Sequence, residues 1–123
     1  ANALPALLKA HKVQKKAARV GFDFENTLEA AAKVQEELNE ILTEYNYNNM
    51  ERIIDEVGDL LFACVNLARL LKVDEEEALN KASKKFAIRF KYVEDKVLQN
   101  NKSMKDVSID ELNKFWDEAK NNE

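Results

Sequence analysis

Two glycines and one proline are all that this 123-residue chain carries, and that scarcity limits the fold more than any motif does. β-Sandwiches and barrels use both residues heavily at their turns. A chain this poor in them is read as helical, with few loops. Hydrophobic residues make up 46% and charged residues 34%. That is the balance of a globular protein with one modest core, not of a disordered chain.

Apolar spacing divides the sequence into five helical segments with no repeat. The first runs from Leu4 to Val20, with Pro5 in its first turn and Gly21 as a left-handed stop. The second runs from Glu25 to Tyr45. Leu28, Ala31, Val34, Gln35, Leu38, Ile41, Leu42 and Tyr45 fall on one side of it at helical period. An Asn-rich turn, Tyr45 to Asn49, leads into a third helix from Met50 to Leu71. Its half from Leu60 to Leu71 is apolar almost all round, which makes it central and suggests contact with a partner subunit. The fourth starts at Asp74, with capping-box spacing to Glu77, and continues to Gln99. The fifth starts at Ser108, stapled by Val107 and Leu112, and ends near Lys120. The expected architecture is all-α: an antiparallel bundle of four main helices plus a short C-terminal helix, in a single domain over residues 1–123.

The net charge of −4 gives no basic excess for binding nucleic acid. No apolar run approaches the roughly 18 residues of a membrane span. Cys64 is the only cysteine and lies in an apolar run, so a buried thiol in a reducing, cytoplasmic setting is expected. His11 is the only histidine, which excludes a His dyad or a His-rich zinc site and leaves it a structural or surface role. A chain that opens on Ala1 rather than Met is expected to be processed or cut from something longer.

The chemistry lies in the carboxylates. At about 100° per residue, Glu37 borders the apolar stripe of the second helix and Glu40 sits one turn on. Glu36 points nearly opposite the stripe, which makes it the least certain of the set. On the third helix Glu56, Asp59, Ala63 and Asn66 form a single strip along one flank. A short connection makes the two helices antiparallel neighbours, so the pairs Glu37–Glu40 and Glu56–Asp59 can face each other across one groove. Four converging carboxylates would repel and raise their own pKa values, unless a hard divalent cation joins them. Mg²⁺ takes oxygen ligands and keeps room for water and phosphate. Acidic runs usually mark a solvated face, as Glu75-Glu76-Glu77 illustrates at a helix start. Gly58 argues against that here. A mid-helix glycine costs roughly 1 kcal/mol relative to Ala, and close packing or close approach of another group would explain it.

Glu36-Glu37-Leu38-Asn39-Glu40, a spacer of 15 residues, then Glu56-Val57-Gly58-Asp59 has the form E-E-x-x-E followed by E-x-x-D. This resembles the signature of the all-α nucleotide pyrophosphohydrolases, which include MazG, dimeric dUTPases, dCTPases and phosphoribosyl-ATP pyrophosphohydrolase. Residues 12–24, 58–69, the Lys85-Phe86-Ala87-Ile88-Arg89-Phe90 segment and residues 108–120 with Trp116 are similar to the C-terminal catalytic domain of bacterial MazG. Ser83 departs from the Asn common there, and Phe24 from the more usual Trp.

The resemblance implies hydrolysis of a nucleoside triphosphate to monophosphate and pyrophosphate, broad in base and dependent on Mg²⁺, for which Mn²⁺ can substitute. Glu37, Glu40, Glu56 and Asp59 are the expected metal ligands, and Glu36 or Glu37 would activate water. Lys81, Lys85 and Arg89 follow at four-residue intervals. Such residues usually snorkel beside an apolar face. With the metal signature, Lys85 and Arg89 are expected to bind phosphate and act in catalysis. Lys81, Asn66, Trp116 and Lys12 complete the expected substrate contacts, with Asn66 equally open to satisfying a buried carbonyl and Trp116 to core or interface packing. A homodimer or dimer-based tetramer is implied, with no nucleic-acid or membrane partner. The competing readings are a dedicated phosphoribosyl-ATP, dUTP or dCTP hydrolase, or a non-catalytic helical interaction module.

Overall fold

The computed structural model describes residues 5–44 and 48–123. Leu4 and the Tyr45–Tyr47 part of the expected turn lie outside them. The described residues form five α-helices: α1 (Ala6–Arg19), α2 (Thr27–Glu44), α3 (Met50–Leu70), α4 (Glu75–Gln99) and α5 (Ile109–Asn121). A 3-10 turn, Met104–Asp106, interrupts the polar connection before α5. No strand occurs among the described residues, and the all-α expectation is met.

Local chemistry sets each boundary. Gly21 closes α1 at φ +93, a conformation that costs glycine little. Asn26 accepts from the Glu29 N–H ahead of α2, and Asn49 accepts from the Arg52 N–H at the start of α3. Asp74 accepts from the N–H groups of both Glu76 and Glu77. Ser108 accepts from Glu111. Each such cap stabilises its helix by about 1 kcal/mol.

The chain divides into two compact units, Ala1–Ala78 and Leu79–Glu123. In the first, α3 packs on α2 and on α1, with Ala30, Ala63 and Val65 buried. In the second, Val93 and Val97 of α4 pack with Val107 and Phe115, and Met104, Leu112 and Trp116 close around them. The Val107–Leu112 staple read from sequence is part of this cluster. Fully burying such a side chain contributes about 1.5–3 kcal/mol.

Several expectations are corrected. The inward face of α2 carries buried Ala30 and Glu37 with half-buried Val34 and Ile41, rather than the expected stripe through Leu28, Leu38 and Leu42. Leu28, Leu38 and Leu42 are exposed. Glu37 has turned inward, and the leucine edge has turned outward. Cys64 is exposed rather than buried, because it shares the outward face of α3 with Val57 and Leu61. A Cβ added at Gly58 would meet nothing within 4 Å, so no close approach within the chain explains that glycine. On α4, Val93 and Val97 are buried, while Ala82, Phe86 and Phe90 are exposed.

Candidate metal centre and adjoining cleft

Glu37 is the centre of the acidic site. It lies on the inward stripe of α2 and is 5% exposed, although a carboxylate is rarely buried without a partner. Two groups of carboxylate oxygens meet at it, each with all members within 4.8 Å of one another. One is Glu36, Glu37 and Glu40. The other is Glu37, Glu56 and Asp59. Glu40 also shares a hydrogen bond with Glu56. Glu37 thus meets Asp59 while Glu40 meets Glu56, the register of antiparallel neighbours. The two opposed pairs expected from the helical wheel come together. Glu36, which the wheel turned away, still reaches Glu37 and Glu40.

Electrostatics mark the same place. The Glu40 carboxyl is pushed up to about 7, chiefly by the proton it shares with Glu56 and then by the charge of Glu37. Lys33 lies 3.0 Å from Glu37 and 3.4 Å from Glu36, and its ammonium is held above the usual range mainly by Glu37. One lysine does not satisfy the cluster. Glu37 Oε2 and Glu56 Oε2 are both buried and have no hydrogen-bond partner. Two orphaned oxygens in a set of hard donors fit a divalent cation better than any neutral partner.

The cluster borders two hollows. On one side is a cleft of about 600 Å³ with Glu37 and Asp59 in its wall. Val13, Ala17, Phe22, Phe24 and Phe62 make that cleft largely apolar. On the other side is a polar groove of about 500 Å³ lined by Glu36, Asn39, Glu40, Thr43, Arg52 and Glu56. Arg69 lines the cleft and donates to both Asp23 and Asn66. This pairing holds the Asp23 carboxyl below its ordinary range. Asn66 therefore steadies Arg69 as well as lining the cleft.

The other expected site residues have the following surroundings. Lys12 is exposed on α1. His11 bonds Glu75 at 3.0 Å, a structural role as expected. Lys81, Lys85, Arg89 and Trp116 belong to the second unit. Arg89 grips Glu123 at 2.6 and 2.9 Å, and its guanidinium lies 5.6 Å from the Trp116 ring. Trp116 also packs on Phe86, with ring centres 5.1 Å apart. Lys81 and Lys85 are exposed. Sequence reasoning missed Gln14, Asp23, Lys33 and Phe62 as site residues. Gln14 carried a signal: it interrupts an apolar stripe of α1 formed by Leu7, Ala10 and Ala17. Lys33 carried another, one helical turn before Glu37.

Antiparallel helices with a carboxylate cluster at their seam that could hold a cation, and an apolar cleft beside it, define an all-α protein of the helical-bundle class. Comparison with known proteins narrows the class. The chain belongs to the MazG family, whose model, described as the MazG nucleotide pyrophosphohydrolase domain, matches residues 15–94. It is 38% identical over 117 residues to the nucleoside triphosphate pyrophosphohydrolase/pyrophosphatase MazG of Thermotoga maritima, covering 95% of this chain and 45% of that protein. It is 40% identical over 124 residues to the nucleoside triphosphate pyrophosphohydrolase of Escherichia coli K12, covering 99% of this chain and 47% of that one. The chain therefore spans about half the length of these curated relatives.

Proposed function

We propose that the 123 residues form one catalytic domain that hydrolyses nucleoside triphosphates to monophosphate and pyrophosphate. The observation that carries this reading is Glu37, buried at the junction of two carboxylate groups and adjoining a nucleoside-sized apolar cleft. The family and the names of the two relatives point the same way.

Glu37, Glu40, Glu56 and Asp59 would hold Mg²⁺ or Mn²⁺, a reading supported by the buried Glu37 and Glu56 oxygens that no protein donor satisfies. A cation bound there supplies charge neutralisation for the phosphates and the leaving pyrophosphate. The remaining work falls to the chain's own groups. Of Glu36 and Glu37, the two candidates for activating water, only Glu37 belongs to both carboxylate groups, so we assign Glu36 to orient the attacking water and accept its proton. The aromatic walls of the cleft stack on the base, an interaction worth about 1–3 kcal/mol that tolerates different bases. This supports broad base acceptance. Lys81, Lys85 and Arg89, with Trp116 and Lys12, are assigned to the substrate, Arg89 through its bidentate fork.

Leu28, Leu38 and Leu42 of α2 and Ile54, Val57 and Leu61 of α3 are all exposed. Exposed apolar faces of this extent mark association. We take the working form to be a homodimer or a dimer-based tetramer in the cytoplasm. Among the described residues no helix is long and apolar enough to cross a membrane.

Pyrophosphate release across ribo- and deoxynucleoside triphosphates, with Mg²⁺ and with Mn²⁺, tests the reading. Release together with an equal amount of monophosphate is expected. Absence of both, with no cation bound in a titration, would leave a helical interaction module.

A further inference from the structure

Gln14 is a polar side chain where α1 presents an apolar stripe, and it is only 5% exposed. Its Nε2 donates to the main-chain carbonyl of Phe62 at 2.9 Å. A carbonyl can only accept, so this bond fixes which way the amide faces. The atom left over is Oε1, an acceptor that is buried and has no partner. Buried acceptors are almost always satisfied, and an exception calls for a reason.

The surroundings suggest one. Gln14 lines the same cleft as Phe22, Phe24 and Phe62, whose walls are mainly apolar. The cationic side chains there are engaged elsewhere. Arg69 donates to Asp23 and Asn66, and Lys33 faces Glu36 and Glu37. The donor that Oε1 lacks is therefore a group that a ligand would bring into the cleft.

We infer that Gln14 is a specificity-determining residue that accepts a hydrogen bond from the nucleoside part of the substrate. The inference rests on the proposed nucleotide hydrolysis and adds a residue that reads the ligand. The donor is an N–H on the base edge or a hydroxyl of the ribose, and both offer the same chemistry to Oε1. A nucleoside presenting a lone pair at that point, or nothing at all, leaves the acceptor unpaired and binds more weakly.

The test is a binding measurement, which needs no turnover. The wild-type chain is titrated with the α,β-methylene analogue of ATP in the presence of a divalent cation. The same titration is made with the purine riboside analogue, which has no base-edge N–H, and with the 2′-deoxy and 3′-deoxy analogues. At least one is expected to bind more weakly than the parent by about fivefold or more, the loss from one hydrogen bond. The analogue that weakens names the donor. Gln14→Leu, and separately Gln14→Met, should bring that ratio close to one. Equal binding of all four analogues to the wild-type chain would overturn the inference, as would a ratio that survives both substitutions. The wild-type comparison stands even where a variant does not fold. Selective binding without pyrophosphate release would keep the inference while sinking the proposed hydrolysis. Release without selectivity would do the reverse.

Discussion

Lys33 stands one helical turn before Glu37 and places its ammonium 3.0 Å from that buried carboxylate. In the absence of a metal this lysine is the cationic partner of Glu37. The Lys33 side chain is 41% exposed, so solvent screens the pair and its contribution is modest. Lys33→Met is expected to destabilise the metal-free protein by about 1 kcal/mol or less. A bound divalent cation takes over the compensation, so the loss should shrink when Mg²⁺ is saturating. Denaturant titrations with and without Mg²⁺ measure both values. Equal losses in the two conditions would separate Lys33 from the metal site.

The proton shared by Glu40 and Glu56 gives the site a pH dependence with a definite sign. The Glu40 carboxyl is raised from 4.5 to about 7 in the folded protein. Between those values the folded chain holds a proton that the unfolded chain has released. The stability this provides is complete below the lower value and is lost as pH rises through the upper one. Asp23, held low by Arg69, acts oppositely and loses its contribution as pH falls through its folded value. Glu40→Gln should therefore flatten the melting temperature of the metal-free protein across the window from about 4.5 to about 7. Mg²⁺ competes with that proton, so its affinity should rise with pH over the same window. A pH series of melting curves and metal titrations reads both effects.

The acidic site was largely legible in the sequence because i and i+3 spacing on a helix is a geometric statement. Glu37, Glu40, Glu56 and Asp59 needed only an antiparallel neighbour to converge. Caps at Asp74 and Ser108, and the stop at Gly21, were legible for the same local reason. The orientation of α2 was not. Leu38 and Leu42 outweighed Glu37 on any hydrophobic scale, yet Glu37 is the residue turned inward. Hydrophobic period shows that a face wants to be covered, and says nothing of whether the same chain covers it. Cys64 follows from that gap, since an apolar neighbourhood in sequence became an exposed face in space. The cleft was hidden for another reason. Gln14 meets Phe62 and Asp23 meets Arg69 across sequence separations of 48 and 46 residues, and no local spacing encodes such contacts.

Asp59 and Glu40 should separate catalysis from folding. Asp59→Asn keeps the shape of the side chain but removes the charge, and one of the two oxygens, that a cation needs. Pyrophosphate release is expected to fall by about 10²-fold or more, with the helical circular dichroism unchanged. Glu40→Gln should behave alike. Glu36→Gln is expected to lower turnover while leaving cation affinity near that of the wild type. If it weakens cation binding as much as Asp59→Asn does, Glu36 is a ligand and not the group that orients water.

Arg69 ties the turn between α1 and α2 to α3 through Asp23, and both residues line the cleft with Phe22 and Phe24. Removing either partner should loosen the aromatic side of the cleft and raise KM for nucleotide more than it lowers kcat. The two changes act on one contact. Arg69→Met, Asp23→Asn and the double variant should therefore show a coupling of about 0.5–3 kcal/mol in stability. Additive effects would mean that the pair does not act as a unit.

Arg89 is expected to bind phosphate, and its fork is occupied by the Glu123 carboxylate at 2.6 and 2.9 Å. Glu123 is held below its ordinary range by that same contact, so the pair is mutually stabilised in the form a phosphate would have to displace. If Arg89 serves the substrate, the carboxylate competes with it. Glu123→Gln should then weaken the competitor and lower KM by a few fold, while Arg89→Lys, which loses the bidentate geometry, should raise it. Trp116 stacks beneath the guanidinium, so Trp116→Leu should move KM in the same direction as Arg89→Lys, by less. Steady-state kinetics on one nucleotide settles the matter. An Arg89→Lys variant with unchanged KM and a lowered melting temperature would assign Arg89 to holding α4 against the chain's final residues, and not to the substrate.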